Sequence, residues 1–581
     1  MKCDEKRTAI FMAVLFCGAA GMACADSNER AAAPARPAET APLTAAGVDA
    51  CAKLADLKLD AVEIVSARSQ TAGAPIEGAN LPNMSGNAGA GPPLSGLPAF
   101  CRVAGRIHPE PGSDIHFEVW MPSAGWDGRL YGVGTGGFAG SIDYLTLGSA
   151  LKAGEASAST DTGHSGNAQD SAWAKGHPER VRDYGWRAIH LTTVAAKKLI
   201  TAFYGHGADR AYFVGCSNGG RQGLMEASRF PEDYDGIVAG APAAVWTDLA
   251  LAMINSAQAQ RPPGAAIRRE QAHFLQDEVL KQCDALDGQA DGLVNDARQC
   301  KLDVSKLACG VSSSPQCFSA PQLDALKQIY AGPHTASGRP LASGYLASGS
   351  EAGTPWPQLG WEGYILTGPG GQPQGEILVQ GLLKDLVQAP FATPETFNFD
   401  KDPARLKAAV GADLDAQPTL QGFFKHGGKL ILWHGWADAA IPPEATLSFH
   451  QAILKGSGPQ APASVRLFMV PDVQHCIGGT GPDQFGQLAA PQPGDTPERN
   501  MVAALQAWVE GGKAPETLVG RRGLGGFMGL PAPTPERQRL LCAFPAMAVL
   551  EPGGDPDQAS SYRCRLGSAA ESKSADGGRK E

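Results

Sequence analysis

The stretch Gly215-Cys216-Ser217-Asn218-Gly219 constrains the fold of this chain more than any other part of the sequence. Buried-strand residues at 212–214 precede it, and a helical pattern over 222–229 follows it. A serine flanked in this way is typical of a nucleophile elbow, a strained strand-to-helix turn that lifts one hydroxyl out of a sheet. The amino terminus of the following helix would favour an oxyanion beside Ser217. Because G-x-S-x-G also occurs in ordinary glycine-rich turns, the surrounding sequence must decide between the two interpretations.

Predicted strands and helices alternate on both sides of this turn, which indicates a mostly parallel sheet covered on both faces. The chain has 581 residues, of which 43% are hydrophobic, so it can bury a large core and form more than one structural unit. The net charge of -10 gives no reason to expect a nucleic acid as a partner. The predicted strands are 115–120, 129–133, 235–240, 428–433 and 465–470, and the clearest helices are 187–204 and 498–510.

The character of the sequence changes at about 246 and changes back at about 425. Between these positions turn residues dominate, cysteines cluster, and helices such as 268–283 and 321–330 are separated by irregular stretches. We therefore predict that 246–425 is an insertion that forms a lid over the site. A stretch rich in Gly, Pro, Asn and Ser at 70–98 predicts a long surface loop. The predicted organisation is a signal peptide at 1–25, a flexible lead-in at 26–45, a core in two parts at 46–245 and 426–565, the lid at 246–425, and a disordered tail at 566–581.

Residues 1–25 have the features of a signal peptide. Basic residues precede an apolar run over 9–23, and small residues at 23–25 would permit cleavage. This run is too short for a confident membrane span, and no other stretch is long and apolar enough to be one. The prediction is a protein that is secreted or held in the periplasm. A lipid-modified Cys24 is the alternative, although Gly21 stands where such signals usually carry Leu.

The cysteines agree with export. The chain has 13 of them. Cys3, Cys17 and Cys24 fall in the signal, and the even number that remains favours disulfides in an exported chain. Pairing nearest neighbours predicts Cys283–Cys300, Cys309–Cys317 and Cys542–Cys564, and it leaves over Cys51 with Cys101 and Cys216 with Cys476. A few free buried thiols are the alternative.

Ser217, Asp438 and His475 form a candidate catalytic triad. A serine hydroxyl needs a histidine base, and a carboxylate must hold that base in one tautomer. Each of the three residues follows a predicted strand, and their order matches the Ser…Asp…His order of α/β-hydrolases, so we expect them at one edge of the sheet. The predicted fold is therefore an α/β-hydrolase with a large inserted lid. His434 is the nearest rival base, and we interpret it as support for the loop that carries Asp438.

A glycine-rich loop, Gly134-Thr-Gly-Gly-Phe-Ala-Gly140, follows the predicted strand 129–133. α/β-Hydrolases place the second amide of the oxyanion hole in such a loop, where the backbone must approach the substrate closely. We predict that the amide of Asn218 forms the oxyanion hole together with that of Gly136 or Gly137. A plain flexible loop is the alternative.

The residues around the triad resemble the tannase and feruloyl esterase family. The segments that carry the resemblance are Gly-Cys-Ser-Asn-Gly-Gly-Arg-Gln at 215–222, His-Gly-Trp-Ala-Asp-Ala-Ala-Ile-Pro-Pro at 434–443, His-Cys-Ile-Gly-Gly at 475–479, Ala-Ser-Thr-Asp-Thr-Gly-His at 158–164, and the glycine loop. The mark of the family is a Cys-Ser, Asp, His-Cys constellation in which the two cysteines are bridged. The resemblance therefore implies a Cys216–Cys476 bond beside Ser217 and His475.

A second constellation lies in the predicted lid, where Asp284, Asp287 and Asp291 occur with turn-permitting glycines. Three carboxylates in one turn suit a hard cation with oxygen ligands, although Asp/Gly repeats are also common in surface turns. The resemblance implies a structural Ca²⁺ here, with the backbone carbonyls of Gln289 and Leu293 completing the ligands.

These observations together predict an exported serine esterase. The resemblance implies small esters with an aromatic acyl part, such as gallate, ferulate or terephthalate monoesters. The aromatic lid residues Trp356, Trp361 and Tyr364 would hold the ring. An acyltransferase with the same triad is an alternative. A binding protein on a decayed hydrolase scaffold is another, and the presence of all three triad residues argues against it. The oligomeric state is left open.

Overall fold

A central sheet of nine strands organises the chain, which a computed structural model describes for residues 45–80, 91–353, 360–366, 372–523 and 537–566. All of these residues belong to one compact unit that begins at Thr40. The predicted signal peptide, most of the lead-in, Trp356 and nearly all of the tail lie outside the described residues. Across the residues that the structure describes, every helix is too short or too polar to pass through a bilayer.

The strand order of the sheet is β1-β2-β3-β5-β4-β6-β7-β8-β9. Strands β1 to β3 pair in antiparallel fashion at one end, and β3 pairs antiparallel with β5. All pairs from β5 across to β9 are parallel, as predicted. The strands are β1 Val62–Gln70, β2 Phe100–Ile107, β3 Ile115–Pro122, β4 Arg129–Val133, β5 Ala156–Thr160, β6 Arg210–Cys216, β7 Gly236–Gly240, β8 Lys429–Gly435, β9 Val465–Val470, β10 Thr517–Arg521, β11 Gln538–Cys542, β12 Ala546–Leu550 and β13 Tyr562–Leu566, of which the last four form two small hairpin sheets.

Helices cover both faces of this sheet. The α-helices are α1 Ala45–Lys53, α2 Tyr144–Ala153, α3 Pro178–Arg182, α4 Ala188–Tyr204, α5 Asn218–Arg229, α6 Trp246–Ala259, α7 Arg269–Cys283, α8 Ala320–Ala331, α9 Trp361–Tyr364, α10 Gln374–Gly381, α11 Asp402–Leu406, α12 Ala412–Leu414, α13 Gln421–Lys425, α14 Pro443–Gly456, α15 Ala461–Ser464 and α16 Met501–Gly511. On one face Phe213 of β6 lies in a core with Leu199 of α4 and Leu224 of α5. On the other face its neighbour Tyr212 lies in a separate core with Leu505 of α16. Alternate residues of one strand thus enter two cores, which confirms the predicted α/β fold.

The segment between β7 and β8 adds no strand to the central sheet within its described residues. It contains helices α6 to α13 and two of the disulfides, Cys283–Cys300 and Cys309–Cys317. Its role as a lid stays a prediction. The segment meets the core where Gln474, next to His475, donates hydrogen bonds of 3.1 Å to the carbonyl and hydroxyl oxygens of Ser350.

Several elements were not predicted from the sequence. Strand β5 consists of small residues, all of which are buried. It pairs with β3 and β4, but its sequence lacks the hydrophobic alternation that would have predicted a strand. Helix α5 begins at Asn218 rather than at 222, because the elbow turns directly into the helix. Beyond Gln70, which ends β1, the described part of the segment 70–98 contains no helix or central strand, but Ile76 and Leu97 within it are buried in the core, so it is not simply a surface loop.

Two fully buried acids lie where the insertion meets the loop after β9. Asp472 accepts a hydrogen bond from the Thr480 hydroxyl, and Glu351 accepts one of 2.7 Å from the backbone N–H of Ser348. Burial raises the pKa of Asp472 to about 8, and the neighbouring Glu351 adds to the rise. Burial likewise raises the pKa of Glu351 to about 7. One oxygen of each carboxyl has no hydrogen-bond partner among the described residues. Burial therefore favours the neutral form of both acids, more strongly at Asp472 than at Glu351.

We predict that this pair makes stability fall as the pH rises. An acid with a raised pKa in the folded state contributes stability that is complete below its unfolded pKa of about 4. That contribution decreases by up to about 1.4 kcal/mol per pH unit and is lost once the pH passes the folded pKa. Asp472→Asn should therefore gain stability relative to wild type between pH 5 and pH 8, measured by denaturant unfolding. Asp324→Asn, at an exposed position, is the control and should show no such trend. A stability difference that does not change with pH would contradict the prediction.

Candidate active site

Ser217 occupies a strained turn between β6 and α5. Its backbone angles are φ 62° and ψ −122°, a conformation that non-glycine residues rarely adopt. Glycines surround it because the backbones pack in direct contact: a Cβ added to Gly215 would lie 2.5 Å from the carbonyl carbon of Gly219. The N–H of Ser217 donates a 2.9 Å hydrogen bond to the carbonyl of Gly240 on β7. The chain thus has the nucleophile-elbow geometry that its sequence predicted.

Asp438 and His475 meet at the carboxyl ends of β8 and β9. Nδ1 of His475 lies 2.8 Å from Oδ2 of Asp438, a hydrogen bond that sets the imidazole tautomer. Oδ1 of Asp438 accepts hydrogen bonds of 2.8 and 2.9 Å from the N–H groups of Ala440 and Ile441. Burial opposes ionisation of Asp438, but the charge of His475 and hydrogen bonds from His475 and His434 outweigh it and hold the pKa of this carboxyl well below its usual range. Asp438 is therefore an ionised, fully buried orienting group.

His434 supports the loop that carries Asp438, as expected. It is completely buried, and its Nε2 lies 3.1 Å from Oδ2 of Asp438 and 3.1 Å from the carbonyl of Ile441. Its Nδ1 lies 2.7 Å from the hydroxyl of Thr446. Both ring nitrogens of His434 are thus occupied by structural partners, so it has no free nitrogen with which to act as a base.

Ser217 and His475 line one pocket of about 250 Å³. No hydrogen bond joins the Ser217 hydroxyl to His475 in the described part of the chain, and such bonds often tighten only when substrate binds. The Tyr364 and His475 rings make a T-shaped contact, with centroids 5.5 Å apart and planes at 73°, so Tyr364 packs against one side of the imidazole. Ser217 therefore shares one pocket with an imidazole that is hydrogen-bonded to Asp438.

A disulfide ties the two loops together. Cys216 and Cys476 are bonded, with Cα atoms 6.0 Å apart, although they are separated by 260 residues in sequence. This bond fixes the backbone beside both Ser217 and His475. The five disulfides of the structure are Cys51–Cys101, Cys216–Cys476, Cys283–Cys300, Cys309–Cys317 and Cys542–Cys564, which confirms every predicted pairing.

The residues predicted to form the oxyanion hole lie in the same pocket as Ser217. Asn218, Gly136 and Gly137 all line the pocket. The neighbouring amide of Thr135 is not available, because it donates a 2.9 Å hydrogen bond to Oε1 of Gln222. The N–H groups of Gly136 and Gly137 have no acceptor among the described residues. Both therefore remain candidates for the second oxyanion donor.

Two buried side chains of α5, which sequence reasoning missed, hold these residues in place. Gln222 binds Thr135 through its amide oxygen and also donates a 2.9 Å hydrogen bond to the Thr135 hydroxyl. Arg221 is fully buried and donates bonds of 2.9 and 2.7 Å to the side-chain oxygen of Asn218 and one of 2.7 Å to the carbonyl of Gly185. The sequence places both residues next to the motif, but it does not reveal their partners, of which Thr135 lies 87 residues from Gln222 and Leu414 lies 193 residues from Arg221.

Part of the pocket lining comes from the predicted lid, which contributes Trp246, Leu249, Met253, Tyr364, Gln374 and Leu378. Tyr364 lines it as predicted, whereas Trp361 is buried against Tyr330 and does not. Trp246, which sequence reasoning did not single out, lines the pocket and stacks on Phe138, with centroids 6.0 Å apart. The described lining contains no Lys, Arg, Asp or Glu. A larger cavity of about 630 Å³ adjoins the pocket, and the two share Ala243, Leu249 and Ile441 as lining residues.

The predicted calcium residues lie together in one loop after α7. Asp284 accepts hydrogen bonds of 3.2 and 3.0 Å from the N–H groups of Asp291 and Gly292, so this carboxylate closes the loop. Burial, with the charges of Asp291 and Asp284 adding to it, raises the pKa of Asp287 to about 6. Asp291 forms an ion pair with Arg539 of β11. The carboxylate oxygens of these three aspartates do not all lie within 4.8 Å of one another.

Comparisons with known proteins agree with this geometry. The profile of the family described as tannase and feruloyl esterase matches residues 101–565. An uncharacterised esterase of Xanthomonas campestris pv. campestris is 36% identical over 545 residues, which cover 90% of this chain and 92% of that protein. The mono(2-hydroxyethyl) terephthalate hydrolase of Piscinibacter sakaiensis is 32% identical over 533 residues, or 81% of this chain and 85% of that enzyme.

The fold has a close counterpart among solved structures. The crystal structure of feruloyl esterase B from Aspergillus oryzae matches with a TM-score of 0.78 and 26% identity, covering 89% of this chain and 100% of the other. Family profile, relatives and structure point the same way. The chain belongs to the tannase and feruloyl esterase family of carboxylic ester hydrolases, with an α/β-hydrolase fold.

Proposed function

We propose that this protein hydrolyses esters of aromatic acids through a Ser217–His475–Asp438 triad, and that the preferred acyl group carries no charge of its own. The observation that carries the proposal is the shared pocket of Ser217 and His475, with His475 bound at 2.8 Å to the buried carboxylate of Asp438. Buried carboxylate, oriented imidazole and a serine on an elbow are the parts that serine hydrolases require. This function is the feruloyl or gallate type of activity rather than cleavage of a terephthalate monoester.

In the proposed mechanism the Ser217 hydroxyl attacks the ester carbonyl while Nε2 of His475 takes its proton. Asp438, which accepts a hydrogen bond from Nδ1–H of His475, stabilises the imidazolium that forms. The N–H of Asn218 and that of Gly136 or Gly137 bind the oxyanion at the amino terminus of α5. His475 then gives the proton to the leaving alcohol. A water molecule, activated by the same imidazole, releases the acid from the acyl-enzyme.

The lining of the pocket supports an uncharged acyl group. Trp246 and Tyr364 supply aromatic surface, and Met253 and Leu378 supply aliphatic surface. The pocket volume of about 250 Å³ is below the range typical of drug-sized ligands, which suits a single ring. A terephthalate monoester would bring a free carboxylate into this wall, where no cationic side chain of the described lining could pair with it. Burying an unpaired carboxylate is costly.

Export is part of the proposal. The five disulfides would be maintained in an oxidising compartment such as the periplasm or the extracellular medium. The basic and apolar character of residues 1–25 supports the same location.

We predict that activity depends on Ser217 and discriminates by acyl charge. The test compares methyl ferulate, methyl gallate and a matched pair, 2-hydroxyethyl benzoate and mono(2-hydroxyethyl) terephthalate, which share a leaving group and differ in one carboxylate. The uncharged member of the pair should have a kcat/KM at least about tenfold higher, because the charged one must bury an unpaired carboxylate. Ser217→Ala should lower kcat by roughly 10⁴-fold or more on every substrate.

The possible outcomes separate the parts of the proposal. Near-native activity of Ser217→Ala would overturn the triad. Preference for the terephthalate monoester over the benzoate would overturn the acyl-group assignment while leaving the triad intact. Addition of a competing alcohol distinguishes hydrolysis from acyl transfer, since a transferase would yield the new ester as its main product.

We also predict that the Cys216–Cys476 bond acts mainly on catalysis. In the chain-entropy model this bond and Cys51–Cys101 both constrain the unfolded chain, by on the order of 4–6 kcal/mol each. Only the first adjoins the triad, and small misplacements of reacting groups cost up to about 100-fold in rate. The double variant Cys216→Ala/Cys476→Ala should therefore lose kcat at temperatures where it is still folded. Cys51→Ala/Cys101→Ala, which acts at the far edge of the sheet, should lower Tm without lowering kcat. Equal retention of kcat by both variants would contradict a positional role.

The loop after α7 is proposed to bind a structural Ca²⁺. Its donor chemistry fits, because three carboxylates and the carbonyls of Gln289 and Leu293 are hard oxygen ligands in a loop braced by Cys283–Cys300. Repulsion from Asp284 and Asp291 contributes to the raised pKa of Asp287, so the loop carries negative charge that a cation would compensate. Arg539 compensates only part of it, by pairing with Asp291. A bound Ca²⁺ would brace the insertion and take no part in the reaction.

The calcium prediction is tested at Asp287, whose carboxylate has no ion pair among the described residues. Chelation should lower the Tm of the wild-type protein, and added Ca²⁺ should restore it, because the ion binds only the folded form. Asp287→Asn should abolish the Ca²⁺-dependent change in Tm and leave the Asp291–Arg539 pair intact. Differential scanning calorimetry with elemental analysis measures both effects. An unchanged Tm after exhaustive chelation, with no calcium found in the untreated protein, would rule the site out.

A further inference from the structure

A cluster of three metal-ligating side chains lies behind the nucleophile helix, away from every residue of the proposed reaction. His190 is on α4, Glu226 is in the last turn of α5, and Asp233 is in the turn that leads from α5 to β7. One ligand atom from each side chain lies within 4.8 Å of the other two. In the described part of the chain, this is the group of His, Cys, Asp or Glu residues that comes this close together. Nδ1 of His190 is 2.6 Å from Oδ2 of Asp233.

Glu226 is the residue that needs an explanation. Only 1% of its surface is exposed, and neither carboxylate oxygen has a hydrogen-bond partner among the described residues. A buried carboxylate without partners is costly in its charged form. The nearby basic side chains are committed elsewhere: Lys197 donates to the carbonyl of Glu232, and Arg229 donates to the carbonyl of Ala412 and covers the ring of Trp186.

The surroundings favour a cation at this point. Glu226 lies at the carboxyl end of α5, where the partial negative charge of the helix dipole attracts positive charge. A divalent ion would also neutralise the two carboxylates together. Access is open, since the side chain of His190 is 23% exposed and that of Asp233 is 12% exposed. The His190 ring stacks on Phe230, with centroids 3.6 Å apart and planes 7° from parallel, which holds the imidazole facing the acids.

We propose that His190, Glu226 and Asp233 form a binding site for a divalent transition-metal ion, with Zn²⁺ as the best match. One imidazole nitrogen and two carboxylate oxygens are ligands that Zn²⁺ accepts at roughly 2.0–2.2 Å, and water fills the fourth position in three-ligand sites. Ca²⁺ prefers six or more oxygen ligands, so it does not suit this set. The ion would join α4, the end of α5 and the following turn into one unit.

The site is distinct from the proposed catalytic function and from the proposed calcium loop. Its effect is structural: it would clamp the carboxyl end of the helix whose amino terminus faces Ser217. Binding and stability, rather than ester hydrolysis, are therefore the measurements that report on it.

The test uses the full chain after exhaustive chelation, titrated with ZnCl₂ by calorimetry and followed by Tm. The wild-type protein should bind a single Zn²⁺ at this cluster with a rise in Tm. His190→Ala and Asp233→Asn should each weaken Zn²⁺ binding by roughly 100-fold or more, since even outer residues of metal sites contribute about 10–100-fold. His206→Ala, which removes an exposed histidine elsewhere, is the matched control and should bind Zn²⁺ like wild type.

Glu226→Gln keeps the shape of the side chain and removes only the charge. Its Tm without metal should equal or exceed that of wild type, because a buried acid has been replaced by a neutral group, and its Zn²⁺-dependent rise in Tm should be lost. Asp287→Asn should retain Zn²⁺ binding, which separates this cluster from the calcium loop. Absence of Zn²⁺ binding by the wild-type protein, or unchanged Zn²⁺ affinity in His190→Ala, would overturn the proposal.

Discussion

The buried charge of Asp438 is the interaction on which the rest of the active site depends. A carboxylate with no exposed side-chain surface must be surrounded by donors, and Asp438 has four of them: two backbone N–H groups of its own loop, His434 and His475. Each donor fixes a different part of the structure. The backbone donors shape the turn after β8, His434 anchors that turn to α14 through Thr446, and His475 is drawn toward β8 from the next strand. Loss of any one donor would leave part of a buried charge without a hydrogen bond, which is costly. The positions of all four donors are therefore tightly constrained.

Ser217, the proposed nucleophile, is positioned by a different means, which is backbone contact rather than charge. Gly134 at the end of β4 and Gly219 at the start of α5 approach so closely that a Cβ added to Gly134 would lie 2.8 Å from the Cα of Gly219. The glycine loop after β4 and the elbow therefore share one interface. Gln222 binds Thr135 of the loop, and Arg221 binds Asn218 of the elbow. The Cys216–Cys476 bond then connects this rigid unit to the loop that His475 occupies. Serine and histidine thus come from two separately built units that a single covalent bond joins.

The sequence predicted the parts of this structure that depend on short-range patterns. The parallel strands appear as buried runs, and the triad and cysteines appear as short motifs, so these could be placed before the fold was known. The antiparallel strands β1 and β2 and the small-residue strand β5 were missed, because their pairing is decided by partners distant in sequence. The walls of the pocket were missed for the same reason. Trp246 and Trp361 look alike in sequence, yet only the first lines the pocket, since the choice depends on how the insertion packs.

Buried acids in this protein differ in what surrounds them, and the difference decides their chemistry. Asp438 is encircled by donors and is ionised. Asp472 and Glu351 each have one oxygen that is bonded and one that has no partner among the described residues, and burial favours their neutral forms. Neither carboxylate oxygen of Glu226 accepts a hydrogen bond from the described residues. Burial, together with the neighbouring Asp233, raises the pKa of Glu226 well above the usual range. His190 is stacked on Phe230, and its Nδ1 lies 2.6 Å from Oδ2 of Asp233, so the imidazole already pairs with one of the two acids. A cation bound by the imidazole and both carboxyl groups, as proposed, would give the Glu226 oxygens the partners that they lack among the described residues.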